Sequence, residues 1–130
     1  MDYQTTKNNQ HLLPDTVYRR VISIIRDYDR RKEQYDNLPT DDISIGIVSG
    51  ITSSKVVDNT QRIGILRAEI AKEIDAVDNA LSIVPPIYRD GVLQHILFPR
   101  SGYPENAHRN TYRYWKKVFV ITVAESMNIL

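Results

Sequence analysis

From Ile63 to Val84 an apolar side chain recurs at every third or fourth position: Ile63, Leu66, Ile70, Ile74, Val77, Leu81 and Val84, with Pro85 closing the run. That spacing holds one face of an α-helix apolar along its whole length. Such a helix is stable in water only if something covers that face, so the chain must supply a partner. Asp58 as N-cap, with Gln61 three residues later in the manner of a capping box, predicts where the helix starts. Ile63, Ile70, Val77 and Val84 fall seven apart, with Leu66 in the complementary seam. Glu73 and Ala80 occupy the other seam positions, which makes the seam too weak for a free-standing coiled coil.

The partner lies upstream. Val17, Val21, Ile24, Ile25, Tyr28 and Tyr35 mark one apolar face of a helix that starts at Pro14–Asp15 and ends at Asn37-Leu38-Pro39. Proline suits a first helical turn, aspartate there suits the helix dipole, and the residue before a proline is pushed out of the α region. The charged residues between them, Arg19 to Glu33, read as a solvated face carrying ion pairs. An antiparallel hairpin of these two helices buries both stripes. Residues 38–57 between them hold Gly46, Gly50 and a Ser/Thr run, and read as a long loop. Ile43, Ile45, Ile47, Val48 and Ile51 give it more apolar content than a plain linker, so partial disorder or a covered strand-like stretch is expected.

After Pro85-Pro86 a third helix is expected, with Tyr88, Val92, Leu93, Ile96 and Leu97 inward and Phe98-Pro99 at its end. Arg100 to Pro104 is a turn, followed by a brief helical turn over Glu105–His108 and a last helix from Asn110 to Asn128. Val118 to Ala124 (VFVITVA) suits a buried strand by propensity. However, Tyr112, Trp115, Phe119, Val123 and Met127 keep helical spacing through it, so helix is the reading. The expected fold is therefore all-α, in three parts. A flexible arm over 1–13 precedes a long antiparallel helical hairpin over 14–84, and 85–130 forms a small helix-turn-helix unit.

Composition bounds the function. With no cysteine, disulfides, thiolate zinc sites and cysteine nucleophiles are out. No run of apolar residues is long enough for a membrane span, and the polar start has no signal-peptide core, so a cytoplasmic chain with no membrane partner is expected. The formal net charge of +1 is unevenly placed: residues 1–98 carry a balance of −2 and residues 99–130 a balance of +3. A positive end on a slightly acidic body suits contact with a polyanion.

Catalysis finds little support. His11, His95 and His108 are scattered, and no histidine pair has metal-binding spacing. Phosphate loops, nucleophile elbows and paired carboxylates in an apolar setting are absent too. The Asp41-Asp42 doublet sits in the polar loop. No enzyme activity, catalytic residue, metal or cofactor is expected.

The informative segment is Pro104 to Lys117 (PENAHRNTYRYWKK). A helix that enters the major groove presents hydrogen-bonding residues near its N-terminal end and docks an apolar face on the core. Arg109, Asn110, Thr111, Arg113, Lys116 and Lys117 cluster at this helix start, and Arg100 adds a cation in the preceding turn. Arginine pairs with guanine and asparagine with adenine, while threonine and lysine more often hold phosphates. Residues 109, 113 and 116 share one face. Tyr112, Trp115 and Phe119 share another and would dock the helix. An ordinary solvated helix end accounts for the same cluster equally well.

Several blocks, in order, resemble the RinA family of phage transcriptional activators. They are Leu13-Pro14 to Tyr18-Arg19 with Ile25 to Arg30; Asp41-Asp42-Ile43, Gly46, Ser54-Lys55-Val56 and Thr60-Gln61; Ala80-Leu81, Val84-Pro85, Tyr88-Arg89 and Gly91-Val92; and Tyr103-Pro104, Ala107, Thr111-Tyr112-Arg113, Trp115-Lys116, Phe119 and Val123-Ala124. The C-terminal part also resembles the helix-turn-helix of sigma-factor region 4. Only His108, Arg109 and Asn110 stand between Ala107 and Thr111, fewer than in the sigma pattern. The resemblance implies sequence-specific binding to double-stranded DNA and activation of phage or prophage late genes. RNA polymerase is a further possible partner, with self-association through the hairpin. A phage DNA-packaging adapter of the terminase small-subunit kind and a helical interaction module without DNA are the alternatives.

Overall fold

A computed structural model describes residues 13–39 and 54–130, with side chains placed for 13–39 and 58–130. Among these residues every regular element is a helix: α1 Asp15–Arg26, α2 Tyr28–Asn37, α3 Ser54–Ile83, α4 Pro86–Leu97, a 3-10 turn Pro99–Ser101 and α5 Arg109–Ser126. The expected all-α class is observed.

The first helical run breaks at Asp27, where ψ opens to −1°. The Asp27 carboxylate there accepts both Arg30 Nε (3.1 Å) and Arg30 Nη2 (2.6 Å), and this pair holds the carboxyl below the usual carboxylate range. Before the break, α1 buries Tyr18, Val21, Ile22 and Ile25. After it, α2 buries nothing, and Tyr35, expected inside, is 36% exposed. Tyr28, at the start of α2, is half-buried against the core, and polar contacts add to the hold of α2 on α3. Tyr28 donates its hydroxyl to Asp78 Oδ1 at 2.6 Å, and Arg31 pairs with Glu73 through Nε (3.0 Å) and Nη2 (2.9 Å).

The expected hairpin is thus divided: α2 lies on α3, whereas α1 packs on α5 and α4. The seven-residue series is buried at Ile70 and Val77 in α3 and at Val84 just past its end, joined by Ala76 and Ala80, small residues that suit close approach along the α3–α5 contact. The helix begins at Ser54, so Asp58 lies within it rather than capping it, and residues 54–57 belong to the helix rather than to a loop. The expectations for residues 1–12 and 40–53, including Asp41-Asp42, lie outside the described residues. Leu13, assigned to a flexible arm, is 7% exposed and belongs to the core.

Arginines close two helix ends. Arg89 turns back to donate to the carbonyls of Val84 (Nε, 2.7 Å) and Ser82 (Nη2, 3.2 Å), and Arg26 donates to that of Ile96 (3.1 Å). A cation there satisfies carbonyls that the helix leaves without partners. At the other end of the chain, Asn128 adopts φ 56°. Ile129 N–H reaches Ala124 O and Asn128 N–H reaches Glu125 O, each at 3.1 Å, the paired bonds of a Schellman ending.

A single cluster forms the core: Leu13 and α1, the C-terminal half of α3, and α4 with α5. Residues on either side of position 85 share it. Val118 to Ala124 is helical, as its flanking periodicity indicated, and Val120, Val123 and Ala124 are buried. Leu97, expected inward, is 40% exposed because α4 ends there and Phe98, 62% exposed, leaves the helix.

Candidate nucleic-acid interface

The start of α5 is fixed by an aromatic stack. His95 on α4 lies 4.0 Å from Tyr103 and nearly parallel to it; Tyr103 stacks on Tyr112 at 5.3 Å; Tyr88 meets Tyr112 edge-on at 5.4 Å. Offset and edge-on pairs of this kind add stabilisation beyond simple burial. Tyr112, 1% exposed, also donates its hydroxyl to Asn106 Oδ1, so the connection over 98–108 is tied to the first turn of α5. Gly91 completes the arrangement. A Cβ there would sit 2.4 Å from Tyr112 Cε1 and 3.0 Å from two ring carbons of Pro104, so only glycine lets α4 approach this closely.

The connection itself differs from the expectation. Glu105–Asn106 forms an isolated turn that does not extend into a helix; a 3-10 turn lies earlier, at Pro99–Ser101. Gly102 ends it at φ 73°, a backbone conformation that favours glycine. Residues 98–108 separate α4 from α5, where a helix-turn-helix of the usual kind has a turn of about three or four residues. His108 is the N-cap of α5, its Nδ1 accepting from Asn110 N–H at 3.1 Å. Sequence reasoning missed this cap because histidine is not among the favoured capping types.

The seven predicted residues divide into two groups. Arg100, Arg109, Asn110 and Arg113 are exposed, whereas Thr111, Lys116 and Lys117 are half-buried. Arg109 and Arg113 lie one turn apart on one side of α5. That line continues through Lys116, which turns inward: its Nζ lies 3.3 Å from His95 Nδ1. Lys116 therefore contributes to the join between α4 and α5 rather than extending an outward row of cations. The reason is that Val120 and Val123, one and two turns further on, are core residues. Trp115, expected in the core, is half-buried against it and meets Tyr114 edge-on at 5.0 Å. Tyr114 is 58% exposed, a feature the pattern of the segment did not single out.

Electrostatics sets the start of α5 apart. Among the described residues, the side chains of Arg100, Arg109, Arg113 and Lys117 make no hydrogen bond or ion pair. Most other arginines are engaged: Arg19, Arg30 and Arg31 with carboxylates, Arg26 and Arg89 with helix carbonyls. Among the described residues Arg20, Arg62 and Lys72 are also unpaired, but scattered. Asp15 and Asp29 stand in the first turns of α1 and α2, whereas the first turns of α3, α4 and α5 have no acidic residue, and α5 opens on the exposed Arg109. Its cations stand at the positive end of the helix dipole, an arrangement unfavourable in the free protein and relieved by an anion. Burial pushes the Tyr103 hydroxyl up from its ordinary pKa, while the nearby positive charge of Arg113 pulls it down. Among the described residues no three metal-ligating side chains come together, and no helix is long and apolar enough to cross a membrane.

No family model, curated protein or solved structure matches the chain.

Proposed function

We propose that this chain is a DNA-binding transcriptional regulator that applies the N-terminal half of α5 to a duplex. The observation that carries the reading is the set of exposed cations Arg109 and Arg113, unpaired among the described residues, with Arg100 in the preceding turn, at a helix start without an acidic residue. Phosphate oxygens would neutralise the cations, and their charge is favoured at the positive end of the helix dipole. Asn110, exposed beside them, is of the type that reads adenine, and the two arginines are of the type that reads guanine. The rigid aromatic joint beneath supports the reading because a recognition element needs a fixed orientation on its scaffold. The sequence resemblance to phage late-gene activators points to the same class.

The reading omits Lys116 from the contacting set, since its ammonium faces His95. It also does not depend on a standard helix-turn-helix, because the connection over 98–108 takes the place of the short turn.

The test is fluorescence anisotropy with labelled duplex fragments from the chain's own genomic neighbourhood, comparing wild type with an Arg109→Ala/Arg113→Ala variant. Wild type should bind at micromolar concentration or better in about 50 mM salt, and the variant at least tenfold more weakly with unchanged helicity. Equal affinity of the two proteins would refute the assignment.

A further inference from the structure

The N-terminal half of α3 carries a second surface, independent of α5. At the α-helical rotation of about 100° per residue, Asp58, Arg62, Ile65, Glu69 and Lys72 fall within roughly 80° of one another, on a single stripe. All are exposed, and Ile65 is 61% exposed at the centre. None of the four charged side chains makes an ion pair among the described residues, although Asp58 and Arg62, and Glu69 and Lys72, are spaced for one within the helix. The same line of α3 continues into Ala76 and Ala80, 2% and 0% exposed in the core that α3 shares with α5. Thus the line packs against other helices at one end and, among the described residues, is uncovered at the other.

The order of charges along the stripe is self-complementary when reversed. Asp58 stands seven residues before Ile65 and Lys72 seven after it; Arg62 stands three before and Glu69 four after. We infer that the surface Asp58–Arg62–Ile65–Glu69–Lys72 is a docking face for a second copy of this chain, laid antiparallel across a two-fold axis at Ile65. Ile65 then meets Ile65 of the second copy. Asp58 faces Lys72 and Arg62 faces Glu69, each pair made twice by symmetry, as an isologous contact requires. A polyanion has no preference for a stripe with equal numbers of each sign, and a parallel copy would set like charges opposite one another. One helix pair with a single apolar centre lies at the small end of specific interfaces, so the dimer is weak and concentration-dependent.

The test uses the full chain without DNA, so its outcome is separate from that of the proposed function. In sedimentation equilibrium the wild-type mass should rise from 15.0 kDa toward twice that as concentration approaches about 1 mM. Ile65→Asp should hold it at the monomer value, Arg62→Glu should weaken association at least fivefold, and Arg62→Glu/Glu69→Arg should restore it. Because the chain has no cysteine, Ile65→Cys supplies a lone thiol on the axis, close enough to its symmetry mate for a disulfide. Mild oxidation should link this variant faster than Ile87→Cys, at a position 68% exposed on α4. A wild type that stays monomeric throughout, a dimer indifferent to Ile65→Asp, or equal cross-linking of the two cysteine variants would each overturn the inference.

Discussion

Replacing Gly91 by alanine tests how the start of α5 is positioned. In the interior of an exposed helix, glycine to alanine stabilises by about 1 kcal/mol through propensity alone. At Gly91 the added Cβ would meet Tyr112 Cε1 at 2.4 Å and Pro104 at 3.0 Å. The tyrosine ring has little room to give: it is 1% exposed, edge-on to Tyr88 and stacked on Tyr103, and its hydroxyl is held by Asn106. Overpacking of this kind costs about 1–3 kcal/mol, and a pinned aromatic neighbour places it at the upper end. Against the propensity gain, the net loss is about 2 kcal/mol. For a chain of this size that lowers Tm by about 6–10 °C. The assay is urea unfolding followed by circular dichroism, where the midpoint should fall without a change in slope. The internal control is Gly64→Ala, where no atom lies within 4 Å of the added Cβ; it should stabilise by about 0.5–1 kcal/mol. If Gly91→Ala also stabilises, or leaves the midpoint unchanged, the close approach of α4 to Tyr112 described above is wrong.

Other expectations follow from polar contacts. The hydrogen bond to Asp78, with burial second, pushes the Tyr28 hydroxyl up to about 12 from its ordinary value near 10. A raised pKa means the stabilisation is complete below about pH 10 and lost as pH rises toward 12; Tyr28→Phe should therefore flatten the stability profile in that window relative to wild type. Arg31 and Glu73, each 19% exposed, are predicted to show a coupling of about 1–2 kcal/mol in a double-mutant cycle; additive single substitutions would show that α2 is not held by this pair. Arg89→Ala should destabilise by about 1–2 kcal/mol, since carbonyls at the end of α3 lose their donor, yet leave duplex affinity unchanged once the protein is folded. A loss of affinity without a loss of stability would place Arg89 in the interface instead.

The elements that periodicity revealed in the sequence are those with one continuous apolar stripe. The buried Ile70, Val77 and Val84, and the helical character of Val118–Ala124, could be read directly, because a single face carried the pattern. The division at Asp27 could not: Tyr28 continues the apolar spacing past the break, and the Arg31–Glu73 pair that holds α2 to α3 is not something hydrophobic spacing registers. Ala76 adds too little to a stripe to stand out, and Ala80 reads only as a weak seam position, although the small size of both suits the α3–α5 contact. At the candidate interface, the cluster of cations was visible, but not which of them faces out. Lys116 is drawn inward by the same register that buries Val120 and Val123, and the join to His95 depends on a connection whose path depends on aromatic stacking. His108 as a cap and Gly91 as a contact point are visible only once the helices are in place.

The most direct measurement of the central claim is the dependence of duplex affinity on salt concentration. Each phosphate neutralised contributes about −0.9 to the slope of log K against log salt. With Arg100, Arg109, Arg113 and Lys117 engaged, a slope of about −3 to −4 is predicted, falling to about −2 in Arg109→Ala/Arg113→Ala. A flat dependence in wild type, or a slope that the double substitution leaves unaltered, would contradict the assignment of the α5 start as the DNA-contacting surface.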